Sequence, residues 1–178
     1  MKMKLTVIGC SPAWPNPGGA QSGYLVEEEG RVLLDCGAGV LAKLREHEER
    51  EDWPRVDAIC LTHFHLDHWG DIVPWVWALW FGPASEQPRP ELWVPPGGFK
   101  LMCEFGERLG TPEMFEKAFT VRGYEDGKQF EAAGAQVTPR RVLHYDLLAF
   151  GFRVSANGKT LAYSGDSGPS DELPELAR

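Results

Sequence analysis

Thr62-His63-Phe64-His65-Leu66-Asp67-His68 sets four metal-donor side chains within six residues, directly after the apolar run Val56 to Leu61. That run reads as a short buried strand. In extended backbone, residues i and i+2 point to the same side, so the imidazoles of His63 and His65 can converge on one cation. Asp67 and His68 fall where the chain turns into a helix, expected from about Asp67 to Leu79, with Asp67 a candidate N-cap. The turn redirects both side chains toward a second cation beside the first. Imidazole nitrogen and carboxylate oxygen suit borderline-soft divalent metals such as zinc. A lone histidine is more often a surface or structural residue, but four donors at this spacing are a specific signal.

Working outward, Lys2 to Cys10 reads as a first strand, followed by a Gly/Pro-rich loop from Ser11 to Gly19. Gly23 to Glu28 and Arg31 to Asp35 read as a hairpin closed at Glu29-Gly30. Gly37-Ala38-Gly39 opens a helix running to about Arg50. Beyond the histidine run, Gly82 to Pro90 is a loop, Glu91 to Val94 a strand, Gly98 to Leu109 a helix and Glu113 to Ala118 a further turn or two. Val137 to Leu143, Leu148 to Ser155 and Thr160 to Tyr163 read as strands, and Ser170 to Arg178 starts a helix. Hairpins mixed with crossovers favour an α/β (α+β) sandwich of mixed sheets with outer helices over a doubly wound parallel sheet. No repeat or linker divides the 178 residues, so a single domain over 1–178 is expected.

Apolar residues make up 43% of the chain and charged residues 25%, a soluble globular profile. The apolar start Leu5 to Ile8 is too short for a signal peptide, and Ile72 to Phe81 is about half a membrane span. A cytoplasmic protein without a membrane partner is expected. Cys10, Cys36, Cys60 and Cys103 lack zinc-knuckle or redox-pair spacing and read as reduced, inert packing residues. The formal charge of −8 disfavours a large polyanionic substrate, because such binding rests on phosphate neutralisation by Lys and Arg.

The run from Thr62 to His68 resembles the H-x-H-x-D-H signature of the metallo-β-lactamase superfamily, and the resemblance extends over essentially the whole chain. Leu33-Leu34-Asp35-Cys36-Gly37-Ala38-Gly39 looks like the family's early strand-Asp-Gly element. His144 looks like its third histidine. Tyr163-Ser164-Gly165-Asp166-Ser167 looks like its Gly-Asp element. The implied fold is the αββα sandwich of two mixed sheets, with a two-cation site at one edge. The cations implied are zinc, with manganese as the alternative. His63, His65 and His144 would bind the first, Asp67 and His68 the second, and Asp166 both. Read without the resemblance, His144 alone could be a core or surface histidine, and Asp166 could be turn chemistry. Asp35 either orders the site from behind the ligands or caps the turn at Gly37.

The family also supplies a final histidine to the second cation, from a strand beyond the Gly-Asp element. No histidine follows His144 here, and His47 lies in a charged run and is expected to face solvent. The expectation is a C-terminally incomplete sandwich with an under-liganded second cation, and a further strand-helix-strand carrying a histidine beyond Arg178.

Two cations about 3.5–4 Å apart can activate a bridging water, with Asp67 as the catalytic residue orienting it. Related oxygen-reducing diiron proteins carry acidic residues where this chain has His65 and His68, which favours hydrolysis. Gly9-Cys10-Ser11, Ser22-Gly23-Tyr24-Leu25-Val26 and Phe150-Gly151-Phe152-Arg153 resemble the phosphodiesterase branch, which includes ribonuclease Z. That enzyme carries a basic arm for transfer RNA. Phe99 to Glu131 instead holds five Lys/Arg against seven Asp/Glu. The expected substrate is therefore a small phosphodiester such as a cyclic nucleotide. The alternatives are ribonuclease Z action on RNA, thioester, lactone or β-lactam hydrolysis, and a non-catalytic metal-binding module.

Trp75, Trp77, Trp80 and Phe81 read first as a core or dimer-facing helix, and second as an apolar wall for a nucleobase beside the metals. If exposed, that face would imply a homodimer. The Trp14 loop could lie on the substrate side, and Arg140 or Arg141 could meet phosphate.

Overall fold

β1 (Lys4–Gly9), β2 (Gly23–Glu27) and β3 (Arg31–Leu34) form an antiparallel meander in the computed structural model, which describes residues 3–47 and 53–178. Glu29-Gly30 closes the hairpin as expected, with the Glu28 N–H donating to the Gly30 carbonyl at 3.0 Å. α1 (Val40–His47) buries Val40, Leu41 and Leu44 and leaves His47 exposed. Its expected reach to Arg50, like the start of the first strand at Lys2, lies outside the described residues.

β4 (Ala58–Cys60) then runs parallel to β3, and β5 (Glu91–Val94) and β6 (Thr120–Gly123) continue parallel beyond it. The crossover from β4 to β5 carries α2 (Leu66–Trp69) and α3 (Ile72–Phe81). The next crossover carries α4 (Gly98–Arg108) and α5 (Met114–Ala118). The first sheet thus has the order β1-β2-β3-β4-β5-β6. A second, wholly antiparallel sheet joins β7 (Phe130–Ala132), β8 (Ala135–Val142), β9 (Ala149–Ala156) and β10 (Lys159–Tyr163) in the order β10-β9-β8-β7. α6 (Glu172–Ala177) covers the outer face of that sheet, where Leu176 is buried over Gly151.

Strand alternation sorts the first sheet's side chains between two cores. Leu25, Leu33, Ile59 and Leu92 face the helices and meet Leu44, Trp69, Ile72, Trp75 and Phe115. Val26, Val32, Leu34 and Cys60 face the second sheet and meet Val137, Phe150, Phe152 and Val154. Each such fully buried side chain contributes about 1.5–3 kcal/mol. The layers are helix, sheet, sheet, helix, as expected.

Several details differ from the sequence reading. The helix expected from Asp67 to Leu79 is two helices, because the Asp71 N–H donates to the Cys36 carbonyl at 3.0 Å and its carboxylate accepts the Leu41 N–H at 2.8 Å. His65, not Asp67, holds the N-cap position of α2, and Asp67 lies in its first turn. β6 and β7 were not anticipated. Trp75 is core, edge-on to Trp53, whereas Trp77 and Phe81 are exposed and stack at 6.2 Å. Cys36 and Cys60 are buried, with burial pushing both thiols well up, but Cys10 is exposed. Among the described residues, no helix is long and apolar enough to cross a membrane.

Candidate metal centre

The site lies at the edge where both sheets end. β4 delivers Thr62 and His63, α2 carries Asp67 and His68, the end of β8 presents His144, and the turn after β10 presents Asp166. Backbone bonds stitch these segments together. The Cys36 N–H donates to the His68 carbonyl at 2.7 Å, Ser22 N–H to the Asp67 carbonyl at 3.1 Å, and Phe150 N–H to the Thr62 carbonyl at 3.2 Å.

Two triads of donor atoms result, His63/His65/His144 and His63/His68/Asp166, each with its atoms within 4.8 Å of one another. In the first, His65 Nδ1 lies 3.1 Å from His63 Nε2 and 3.0 Å from His144 Nε2. Three ring nitrogens so close cannot all satisfy one another, since a neutral imidazole offers one donor and one acceptor. In the second, Asp166 directs Oδ1 to His68 Nε2 at 3.3 Å and Oδ2 to His144 Nε2 at 3.9 Å, so its carboxylate faces both groups. Asp67 stands just outside both triads, with Oδ2 3.7 Å from His68 Nε2. His63 lies within the same distance of His68 and Asp166, but its single free lone pair can serve only one cation.

The fit to cations rests on an orphaned atom. His68 Nε2 is buried and makes no well-aligned hydrogen bond, its near acceptor being Asp166 Oδ1 at 3.3 Å, an arrangement that a ligand between the two would satisfy better. The opposite edges of the rings are already committed. His63 Nδ1 lies 2.9 Å from Thr62 Oγ1, and His68 Nδ1 lies 2.7 Å from Asp35 Oδ2. These contacts assign Nδ1–H to both rings and leave the Nε2 lone pairs facing the site. Nitrogen and carboxylate donors arranged this way fit borderline-soft divalent metals.

Asp35 is fully buried and collects an unusual set of donors. Its Oδ1 accepts the Thr62 N–H at 2.7 Å, and its Oδ2 accepts the Thr62 hydroxyl at 2.9 Å and the Tyr163 hydroxyl at 2.7 Å besides His68. Asp35 thus ties Thr62, His68 and Tyr163 together behind the ring of donor atoms. Its φ of +58° is a left-handed conformation that Asp tolerates better than most residues. Thr62 and Tyr163 stand in the motif strings without a role, and their only sequence signal is position, Thr62 next to His63 and Tyr163 three residues before Asp166.

Electrostatics split the two triads. Burial, aided by the neighbouring rings, pulls His63 down to about 3. Burial also pulls on His68, but Asp166 and Asp35 outweigh it and push that ring up to about 10. In the metal-free site these two carboxylates favour the charged form of His68, and Asp166 is held below its ordinary value by its contact with His68.

A family model described as the β-lactamase superfamily domain matches residues 30–178. The chain belongs to the β-lactamase superfamily. Uncharacterized protein ML1173 of Mycobacterium leprae is 31% identical over 181 residues, covering 99% of this chain and 62% of that protein. The probable metallo-hydrolase YhfI of Bacillus subtilis is 31% identical over 172 residues, covering 96% and 66%. A ribonuclease Z of Mycolicibacterium paratuberculosis is 29% identical over 188 residues, covering 98% and 66%. The crystal structure of YhfI superimposes with a TM-score of 0.80 at 24% identity, over 97% of this chain and 66% of that one. A diphosphatase of the PhnP family superimposes with a TM-score of 0.74 at 21% identity, over 99% and 71%. The fold is the metallo-β-lactamase αββα sandwich, and the chain spans 62–66% of the length of these curated relatives.

Proposed function

We propose that this chain carries the metal centre of a metal-dependent phosphodiesterase acting on a small nucleotide-like phosphodiester. The observation that carries the reading is the convergence of His63, His65, His68, His144 and Asp166 at one edge, with the buried His68 ring held by Asp35 at Nδ1 and turning Nε2 toward Asp166. His63, His65 and His144 would hold one divalent cation, and His68 and Asp166, with Asp67 beside them, would face the other; zinc and manganese both suit the donors. Bound there, such cations supply Lewis acidity toward water and toward a phosphoryl oxygen.

The chain's own residues supply positioning and proton handling. Thr62 and Asp35 fix the His63 and His68 rings, so the ligand lone pairs need no reorganisation. Asp67, with Oδ2 3.7 Å from His68 Nε2 and its side chain mostly buried, is placed to orient a water and take its proton. The same carboxyl group can then return a proton to the leaving alkoxide. Phosphodiester rather than acyl chemistry is supported by the similarity to ribonuclease Z along the whole chain.

The test is a side-by-side assay after reconstitution with zinc or manganese, using bis-nitrophenyl phosphate, cyclic AMP, a precursor transfer RNA and a thioester. Cleavage of small diesters is expected, with two metal equivalents by elemental analysis. Cleavage of the thioester alone would overturn the phosphodiesterase reading.

A further inference from the structure

Next to His144 the chain does something costly. Tyr145 adopts φ of +48°, a left-handed conformation that a bulky residue rarely takes, and its ring is 83% exposed. Strain of about 1–3 kcal/mol of this kind persists where the surroundings impose it, and it clusters at functional sites. The conformation keeps the Tyr145 ring 4.9 Å from the His144 ring and out of the core. Tyr145 and His144 together line two neighbouring cavities. One contains Asp166, Gly165 and Ser167. The other contains Arg140, Arg141, Ser170 and three acidic residues.

The charges of the second cavity decide what it can take. Two of its carboxylates are committed within the fold. Asp126 accepts the Arg141 backbone N–H at 2.9 Å, and Glu172 is held below its ordinary value by its own backbone N–H and the Ser170 hydroxyl, with a smaller contribution from the nearby charge of Arg141. Glu175 is exposed on α6. Arg140 and Arg141 are both exposed, and among the described residues neither guanidinium makes an ion pair. Arg140 lies over Gly127, where a Cβ would come within 3.0 Å of its Nη1. Extended backbone at about 3.3 Å per residue puts the Cα atoms of Arg141 and Arg140 about 10 and 13 Å from that of His144.

The geometry points to a nucleotide subsite in which a base stacks on Tyr145 and a second phosphate, beyond the one at the metal centre, is met by Arg141 and Arg140. Resting on the phosphodiesterase reading, this names the substrate class as a linear nucleotide whose diester phosphate lies at the metal centre and which carries a second, terminal phosphate, rather than a cyclic mononucleotide; adenosine 3′,5′-bisphosphate mimics its two phosphate positions. An aromatic face accepts any base, and a guanidinium fork matches a phosphate monoester in bidentate fashion.

The test is equilibrium binding to the full chain loaded with zinc, using adenosine 3′,5′-bisphosphate, AMP, cyclic AMP and inorganic phosphate as probes. The bisphosphate should bind roughly tenfold or more tightly than AMP and cyclic AMP. The double variant Arg140→Ala/Arg141→Ala should abolish that difference while leaving AMP binding unchanged. Tyr145→Ala and Tyr145→Gly should each weaken the bisphosphate and AMP about tenfold and leave phosphate unaffected, whereas Tyr145→Phe should bind like the parent. The glycine variant relieves the positive φ, so a loss there reports the ring and not strain. Equal binding of all three nucleotides, or wild-type binding by the glycine variant, would overturn the subsite. Failure to hydrolyse any phosphodiester with this binding pattern intact would overturn the catalytic reading instead.

Discussion

The hydroxyl of Tyr163 donates to Asp35 Oδ2 across 2.7 Å, joining the last strand of the second sheet to the end of β3 in the first. The bond crosses the sandwich directly behind the metal centre. It adds a fourth donor group to a carboxylate already holding Thr62 and His68, so the aim of the His68 ring depends on both sheets at once. Removing the carboxylate with Asp35→Ala strands buried donors on three partners and should cost about 3–5 kcal/mol. Tyr163→Phe removes one donor only and should cost about 1 kcal/mol. Urea unfolding of the metal-free proteins measures both. Equal losses for the two variants would show that Asp35 is not the centre of the network.

The metal-free protein should show a pH dependence with a definite sign. The His68 ring sits at about 10 in the fold, above the ordinary histidine value of 6.5. Its charged form therefore stabilises the fold. That contribution is complete below pH 6.5 and is lost as pH rises through about 10. His63, held at about 3, runs the other way, and its contribution is present above pH 6.5 and lost as pH falls toward 3. The Tm advantage of the metal-free parent over His68→Gln should shrink steadily between pH 6.5 and 10. A constant advantage across that range would mean that no proton sits between His68 and Asp166. Loading with zinc should release protons, measurable in weakly buffered solution, because the cation takes the proton's place.

Gly37 explains how the loop after β3 can touch α2. A Cβ there would collide with the Asp67 carbonyl oxygen, and it would lie 2.8 Å from Gln21 Cβ. The same carbonyl accepts the Ser22 N–H. Gly37→Ala should therefore push α2 away from the β2–β3 end, costing about 1–3 kcal/mol and weakening zinc binding, read by competition with a chromogenic chelator. Gly18→Ala, at a positive-φ glycine with open space around it, is the control for backbone strain alone. If both variants bind zinc alike, the close approach at Gly37 does not set the position of Asp67.

Much of this was written locally in the chain. The His63–His65 pair follows from strand alternation, and the β2–β3 hairpin follows from Glu29-Gly30. The break between α2 and α3 could not be read, because it is made by bonds from Asp71 to Cys36 and Leu41, about thirty residues away. β6 and β7 escaped because each is only three or four residues long at a sheet edge, and the ends of β6 carry Arg122 and Gly123 in the open rather than an alternating apolar pattern. The meeting of His65 with His144, 79 positions apart, was legible only through family resemblance. Spacing likewise cannot show how close His63 comes to His68 and Asp166, since this depends on where α2 begins and on Asp166 arriving from the other sheet.

The position of Asp67 leads to the sharpest test of the chemistry. Its carboxylate lies in the first turn of α2, and Oδ2 is 3.7 Å from His68 Nε2 but belongs to neither triad. A group placed there loses more as a proton acceptor than as a ligand when it is neutralised. Asp67→Asn keeps the volume and one oxygen, so zinc content and Tm should stay close to the parent's, while kcat on bis-nitrophenyl phosphate should fall about 10²–10⁴-fold. His65→Asn is the counterpart, since it removes a nitrogen from the first triad and should lower zinc content itself. If Asp67→Asn instead loses zinc in step with activity, Asp67 is a ligand first, and the water-orienting role belongs to another group. If turnover is unchanged, Asp67 has no part in the reaction.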